Sequence, residues 1–221
     1  MKYSKKYINQ YKAIRLVIFK KMAIFAMLSS ILVSCGENAG KKITNQKNTQ
    51  EATSSKVLPS ADYSSLLINY ECDITPVEVA KIFNIPETDV SIAEHQSPGS
   101  CAFSLKGFGQ NPLGDDTPIN LFLEDLGKNQ VNKEIKSYLD NKSNNESTMG
   151  MGIDLSETGD SYIVWQSVRG MVVIMNANYD NWLVLSYSPK YMYKSRTQEQ
   201  HDALGEKTIA LANYLLKKHK K

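Results

Sequence analysis

Blocks of hydrophobic residues, separated by polar stretches, predict three helices and five strands between residue 63 and the C-terminus. The first helix begins at residues 75–78, TPVE, where Thr75 is the N-cap, proline takes the first helical position and Glu78 completes a capping box. Val79, Ile82 and Phe83 give this helix one apolar face. The sequence Asn-Ile-Pro that follows predicts its end near residue 84.

Five apolar stretches predict strands, because their side chains alternate or are continuously hydrophobic over four to eight residues. They cover residues 101–106, 119–126, 162–168, 171–175 and 183–187. Residues 107–118 are rich in Gly, Asn, Pro and Asp, which predicts a long hairpin connection between the first two strands. The last three strands are separated by too few residues for a crossover helix, so we expect an antiparallel meander.

A weaker helix is predicted over residues 129–139, and residues 140–150 form a polar loop. The last helix runs from Gln198 to the end of the chain, and its broad apolar stripe contains Leu204, Thr208, Ile209, Leu211, Ala212, Leu215 and Leu216. Helices and strands in this order predict an α+β fold. We expect an antiparallel sheet of about five strands with helices on one face.

The first 34 residues carry seven basic side chains and no acidic one, and they end in an apolar run, residues 22–34. A positive leader before an apolar stretch of about 7–15 residues is typical of a secretory signal. A membrane-spanning anchor needs about 20 unbroken apolar residues. Because Lys20 and Lys21 interrupt the apolar character, we expect a signal peptide rather than a spanning helix.

The apolar run closes on Leu32-Val33-Ser34-Cys35, which resembles the lipobox of a bacterial lipoprotein. The resemblance implies cleavage before Cys35 and acyl chains on its thiol and its new amine, and two chains make such an anchor stable. Gly36 lies where Asp often signals retention in the inner membrane, so it favours the outer membrane where there is one. The expected location is a lipid anchor in the cell membrane or outer membrane, with the domain in the periplasm or at the cell surface.

These observations divide the chain into a signal peptide (1–34), a lipidated cysteine with a disordered tether (35–62) and a single globular domain (63–221). The tether is polar and without periodicity, so it cannot bury enough apolar surface to fold. Without the leader, 19 basic residues remain against 23 acidic ones, a net charge of −4. This balance provides no basic excess to follow a phosphate backbone, so we expect no nucleic acid partner.

With Cys35 acylated, Cys72 and Cys101 remain as an even pair. In an exported protein such a pair usually oxidises, so we predict a structural disulfide between the start of the first helix and the first strand. The alternative is a catalytic thiol, which needs a partner histidine. The chain contains His95, His201 and His219, and none of them lies in a motif typical of such a partner.

The folded part also resembles a group of small exported bacterial lipoprotein or sensor-type domains. The likeness rests on residues 72–79, CDITPVEV, on Cys101-Ala-Phe, on residues 157–165, ETGDSYIVW, and on the C-terminal amphipathic helix. Tyr162 stands where the pattern of the group favours Ala. The resemblance implies this fold and the disulfide, and it implies no activity.

No motif for nucleophilic hydrolysis, phosphate binding or dinucleotide binding occurs in the chain, so we predict no catalytic, cofactor-binding or metal-binding residues. Asp154, Glu157 and Asp160 follow one another at intervals of three and offer oxygen ligands to calcium. They lack the alternating carboxylates and central glycine of an EF-type loop. We therefore interpret them as solvated carboxylates in a turn.

One aromatic-rich segment stands out: it contains Tyr179, Trp182, Tyr187, Tyr191 and Tyr193, interleaved with Lys190, Lys194 and Arg196. Amphipathic aromatic residues are enriched in recognition surfaces. The alternative is that Trp182 and Tyr187 lie on opposite faces of a strand and that one face is core.

The sequence thus favours a membrane-anchored lipoprotein with a non-enzymatic extracytoplasmic domain, which binds an unknown envelope protein or small ligand. One alternative is a carrier or sensor of a small apolar ligand held between the sheet and the helices. Another is a cell-envelope or glycan hydrolase.

Overall fold

The computed structural model describes residues 58–93, 96, 100–144, 146 and 150–221. The predicted signal peptide, Cys35, most of the predicted tether and His95 lie outside the described residues. The described residues all belong to one compact unit, Ser54–Lys221. Among them, no helix has both the length and the apolar character needed to cross a membrane.

The described part of the chain contains four α-helices and seven strands. The helices are α1 (Ser64–Leu67), α2 (Pro76–Phe83), α3 (Lys128–Ser143) and α4 (Gln198–His219). The strands are β1 (Val90–Ile92), β2 (Ser100–Gln110), β3 (Asp116–Asp125), β4 (Met151–Leu155), β5 (Tyr162–Gln166), β6 (Met171–Met175) and β7 (Asn181–Ser186). All seven strands join one antiparallel sheet in the order β1-β2-β3-β7-β6-β5-β4.

The prediction of helices with an antiparallel sheet is confirmed, but the count of about five strands is wrong. The two additional strands, β1 and β4, form the two edges of the sheet. Each has one buried side chain, Val90 in β1 and Ile153 in β4. A strand of three to five residues with a single buried position shows no alternating pattern, so its sequence resembles a loop.

The expectation that the helices lie on one face of the sheet is also wrong. α1, α2 and α4 pack on one face, with Leu67, Phe83 and Leu204 in their shared core. α3 covers the other face with Val131 and Ile135. Strand β6 is an inner strand of the sheet. Its continuous apolar sequence, MVVIM, provides buried side chains to both cores, so both faces of the sheet need a cover.

The hairpin between β2 and β3 is tighter than the predicted connection over residues 107–118. β2 continues to Gln110, and its register shifts between Leu105 and Gln110. Gly107 and Gly109 both have φ of 89° inside this irregular stretch. The glycines that predicted a loop therefore form a bulged strand end, where the left-handed backbone favours glycine.

Two capping boxes set the beginnings of α2 and α4. The backbone N–H of Thr75 donates to Glu78 Oε2 at 2.7 Å, and the Thr75 hydroxyl accepts from the N–H of Glu78 at 3.3 Å. Thr197 and Gln200 make the same reciprocal pair at the start of α4. These contacts satisfy N–H groups that the first turn of a helix leaves without a partner, and α2 begins where the sequence predicted.

The two cysteines of the domain are a disulfide-compatible pair. Cys72 and Cys101 are bonded, and their Cα atoms lie 5.1 Å apart. Cys72 lies in the exposed segment before α2, whereas Cys101 is buried in β2. The pair therefore joins the approach to the first long helix to the sheet, as the sequence predicted.

Candidate functional site

The five aromatic residues predicted as a possible binding surface do not form one surface. Tyr187 and Tyr193 are buried, with 1% and 5% of their surface exposed, whereas Tyr191 is 78% exposed. Tyr179 and Trp182 are half-buried. Of the five, Tyr191 has the largest exposed fraction, and the buried Tyr187 and Tyr193 add little exposed aromatic surface.

Tyr179 and Trp182 pack against different hydrophobic cores. The Tyr179 ring packs against the core beneath α4, and its hydroxyl accepts a hydrogen bond from the N–H of Tyr63 at 2.5 Å. The Trp182 ring packs against the core beneath α3, and Nε1 donates to Glu124 at 2.6 Å. Trp182 and Tyr187 thus contact opposite cores, which agrees with the alternative interpretation of this segment.

Tyr191 belongs to a surface cleft of about 520 Å³, which we call the basic cleft. Its walls come from the turn after β5, from the 3-10 turn Lys190–Met192 and from the first turn of α4. The lining residues are Ser167, Val168, Lys190, Tyr191, Tyr193, Lys194, Arg196, Gln198 and His201. This lining contains no acidic side chain, and its lysines and arginine are positively charged.

A close approach of two backbones holds the walls of the basic cleft together. Gly170 has φ of 63°, and a Cβ atom there would lie 2.2 Å from the carbonyl group of Ser188. The carbonyl oxygen of Gly170 accepts from the N–H of Tyr187 at 2.8 Å. Because only glycine fits this contact, residue 170 keeps the turn after β5 against the segment that follows β7.

Arg196 forms the base of the basic cleft and is 3% exposed. Nε donates to the carbonyl oxygen of Phe108 at 3.0 Å, and Nη1 donates to those of Tyr187 and Ser188 at 3.2 and 2.7 Å. Nη2 donates to the hydroxyl of Thr117 at 2.8 Å. The guanidinium thus binds together the bulged end of β2, strand β3 and the segment after β7.

The charge of Arg196 has no acidic partner among the described residues. Its hydrogen bonds go to neutral oxygens and, at 3.5 Å, to Nδ1 of His201, and its guanidinium also lies 4.2 Å from the centre of the Tyr193 ring. Burial lowers the pKa of Arg196, while the nearby Tyr193 and Tyr187 hydroxyls oppose that shift. Since an arginine stays protonated at neutral pH, the cleft lies over a buried positive charge.

His201 separates the basic cleft from a smaller pocket of about 200 Å³. Its Nε2 lies 2.8 Å from the carbonyl oxygen of Ser167, so this nitrogen carries the proton and donates. Nδ1 then faces Nη1 of Arg196 at 3.5 Å. The smaller pocket is acidic, because Asp202 and Glu206 line it. The sign of the charge therefore changes across His201.

The three acids considered as calcium ligands are each paired with a different lysine. Asp154 pairs with Lys142, and Glu157 pairs with Lys217. Asp160 pairs with Lys220 at 2.8 Å. The interpretation as a solvated turn carboxylate fits Glu157. Asp154 is solvated but lies in strand β4, and Asp160 is only 2% exposed, so the interpretation is wrong for these two acids.

Asp160 is the centre of a buried cluster that joins the two ends of the described domain. The hydroxyls of Tyr63 and Thr158 both donate to its Oδ1 at 2.7 Å. Burial alone would raise the pKa of Asp160, but the hydrogen bonds from Lys220, Thr158 and Tyr63 outweigh it and lower the pKa. The same cluster raises the pKa of Tyr63 to about 12, chiefly through burial. These contacts give Asp160 a structural role.

A Ser-His-Asp arrangement, which sequence reasoning missed, forms at the C-terminus of α4. The hydroxyl of Ser65 lies 3.0 Å from Nδ1 of His219, and Asp73 Oδ1 lies 3.3 Å from Nε2. Asp73 also lies 3.7 Å from Lys218. None of these three residues lines the basic cleft or the smaller acidic pocket. Ser65 and His219 are 154 positions apart, so no local motif announces them.

A third pocket, of about 350 Å³, lies between α3 and the edge strand β4. Tyr138, Met151, Ile153 and Trp165 give it apolar walls, and Lys142 lies at its rim. Like the smaller acidic pocket, which is lined by Trp165 of β5 and by residues of α4, it lies between the sheet and a helix. This is the location at which the sequence-based alternative of an apolar carrier would place its ligand.

Within the described residues, no group of three or more His, Cys, Asp or Glu side chains is arranged to hold a metal ion. The basic cleft combines a depression of about 520 Å³ with exposed Tyr191 and buried Arg196, and on these grounds it is the strongest candidate site. Comparisons of the chain with protein-family models, with curated proteins and with solved structures found no match.

Proposed function

We propose that this chain is a membrane-anchored lipoprotein whose folded domain binds a ligand or partner at the basic cleft, without catalysing a reaction. The anchor is inferred from the apolar run that ends at Cys35. The binding site is inferred from one observation: the exposed ring of Tyr191 lies between Lys190 and Lys194, over the buried charge of Arg196. Aromatic residues and arginine are enriched at recognition sites.

The contacts of His201 favour binding over catalysis at this cleft. A general base needs a free ring nitrogen, and in hydrolases an acid usually orients the ring. Here Nε2 faces the carbonyl oxygen of Ser167, and Nδ1 faces the guanidinium of Arg196. Both nitrogens therefore have partners within the fold, and neither partner is a carboxylate.

The proposal is tested by photo-crosslinking in intact cells. A photoreactive amino acid at position 191 should form crosslinks to an envelope component, because this side chain is exposed at the cleft. The same residue at position 92 is the matched control, since Ile92 is also exposed but lies on the edge strand β1. Equal yields at the two positions, or no crosslinks at position 191, would contradict the proposal.

A second candidate function is the carriage of a small apolar ligand in the pocket between α3 and β4. The supporting observation is the apolar wall formed by Tyr138, Met151 and Trp165. Trp165 is one of two tryptophans in the chain, so the fluorescence of a Trp182→Phe variant comes from Trp165, which lines this pocket and the smaller acidic one. A shift of that emission on titration with an aliphatic alcohol, but not with glycerol, would favour the carrier.

A hydrolase remains the third candidate because His219 lies within contact distance of both Ser65 and Asp73. The order of contacts differs from the usual one, since the serine faces Nδ1 rather than Nε2. A serine-reactive fluorophosphonate provides the test. Covalent labelling of the wild type that disappears in Ser65→Ala would favour a hydrolase over the proposed binding function.

A further inference from the structure

The charges and walls of the basic cleft indicate what kind of ligand it takes. We infer that the basic cleft binds a small organic anion, with a carboxylate or phosphate at Lys190 and Lys194 and an apolar or ring-shaped part against Tyr191 and Val168. This inference rests on the proposed binding function and adds the chemical class of the ligand. It has three physical supports: the buried charge, the two lysines and the apolar wall.

The first support is Arg196, whose charge is removed from water and is not matched by a carboxylate among the described residues. A buried charge is costly unless it is paired, and neutral oxygens compensate it only in part. Four hydrogen bonds hold the guanidinium in one place, so its positive charge is a permanent feature of the cleft. An anion entering the cleft gains from that field without moving the arginine.

The second support is the pair Lys190 and Lys194, four positions apart at the mouth of the cleft. Lys190 is half-buried and Lys194 is exposed, and neither forms an ion pair within the described part of the chain. By contrast, Lys142, Lys217 and Lys220 each have an acidic partner. Two free ammonium groups beside one fixed guanidinium are suited to an oxyanion, which accepts several charged hydrogen bonds.

The third support is the apolar wall and the size of the cleft. Val168 is 63% exposed and Tyr191 is 78% exposed, and both line the same depression. Its volume of about 520 Å³ falls within the range of about 300–1,000 Å³ that is usual for small-molecule sites. The acidic pocket beyond His201 would repel an anion and confine it to the basic side. These features favour a small ligand over a lipid surface.

The inference is tested by calorimetric titration of the purified full-length chain in a neutral detergent. The probes are benzoate and phenyl phosphate, with benzyl alcohol as the neutral analogue, inorganic phosphate as the anion without a ring, and glycerophosphoglycerol as a lipid headgroup. We expect benzoate or phenyl phosphate to bind more tightly than the other three probes. Binding should weaken as salt rises from 50 to 500 mM, because the contacts are partly exposed charges.

Variants that remove lysine charges test whether the anion binds at the basic cleft. Lys190→Gln/Lys194→Gln should weaken the binding of the better aromatic anion by about tenfold or more, since charged hydrogen bonds are roughly twice as strong as neutral ones. Lys128→Gln/Lys133→Gln is the matched control, because it also removes two positive charges but does so on the exposed side of α3. The control should bind as the wild type does.

Four results would overturn the inference: no probe binds, benzyl alcohol binds as tightly as the anions, the headgroup binds at least as tightly as phenyl phosphate, or the two double variants weaken binding equally. The proposed function has its own readout. If no aromatic anion binds but position 191 still forms crosslinks, the ligand class is refuted and the binding function is not. Failure of both measurements would refute the binding function.

Discussion

The indole ring of Trp165 occupies the space that a side chain at Gly152 would fill. The two residues are direct partners across β4 and β5, and a Cβ atom on Gly152 would lie 2.2 Å from Cζ2 of Trp165. An aromatic ring laid over a glycine in this way compensates for the missing side chain at a sheet edge. It also positions Trp165 in the walls of two of the three pockets.

This contact predicts that Gly152→Ala destabilises the domain. The indole has to move, so the free energy of unfolding should fall by about 1–3 kcal/mol, as for other overpacked sites. Urea denaturation measures the change. In the background of Trp165→Leu, the same glycine substitution should cost less, and the double-mutant cycle isolates this contact. An equal loss in both backgrounds would show that the indole is not responsible.

The cysteine pair predicts that reduction destabilises the domain. The bond joins residues 29 positions apart, and loss of such a loop closure should cost about 2–5 kcal/mol. The measurement is denaturation of the wild type with and without dithiothreitol, with Cys72→Ser as the control that reductant should not affect. Alkylation of two thiols in native exported protein would contradict the disulfide.

Glu78 predicts an acid-sensitive contact between α2 and α4. The hydroxyl of Tyr214 is the main hydrogen-bond donor that lowers the pKa of Glu78 to about 2, and contacts with Thr75 and Lys218 add to this effect, while partial burial opposes it. Because the pKa is depressed in the folded state, this stabilisation is present above the usual value of 4.5. It is lost as the pH falls from 4.5 towards 2.

The expected result is that the stability difference between wild type and Glu78→Gln is largest at neutral pH and shrinks in acid. Urea midpoints at pH 6 and pH 2.5 measure this difference. Glu71→Gln is the control, because Glu71 is exposed in the segment before α2. The interpretation would be wrong if Glu71→Gln and Glu78→Gln showed the same dependence on pH.

The lipobox pattern predicts that Cys35→Ser abolishes both acyl labelling and membrane retention. Cys35 alone among the three cysteines follows the Leu-Val-Ser triplet, so no other thiol can replace it. Metabolic labelling with a fatty acid and membrane fractionation measure the two effects. Cys72→Ser is the control and should still carry lipid. A Cys35→Ser protein that keeps lipid and stays with the membrane would refute the anchor.

Much of the local structure could be predicted because short segments carry their own signals. The capping box of Thr75 and Glu78 needs no distant residue, and α2 begins where that motif occurs. Strand β6 matches the predicted residues because all five are apolar. The last helix begins at Gln198, directly after its N-cap Thr197. In each case, the signal that predicts the element lies within a few neighbouring residues.

The arrangement of these elements depended on contacts that the linear pattern does not contain. β1 and β4 become strands because β2 and β5 offer them backbone hydrogen bonds, not because of their own apolar residues. Trp165 could not be paired with Gly152 from sequence, since β4 itself was not predicted. The second face of the sheet needs α3, which buries only Val131 and Ile135.

The candidate site also depends partly on local sequence and partly on long-range contacts. The sequence by itself determined that lysines and aromatic residues cluster between residues 179 and 196, but it treated that cluster as one surface. Tertiary packing buried Tyr187 and Tyr193 and left Tyr191 exposed. It also brought Phe108 and Thr117 to Arg196 across 79 to 88 positions. Burial and long-range hydrogen bonds depend on how the sheet and helices close around a side chain, so only the folded structure could convert this basic segment into a cleft.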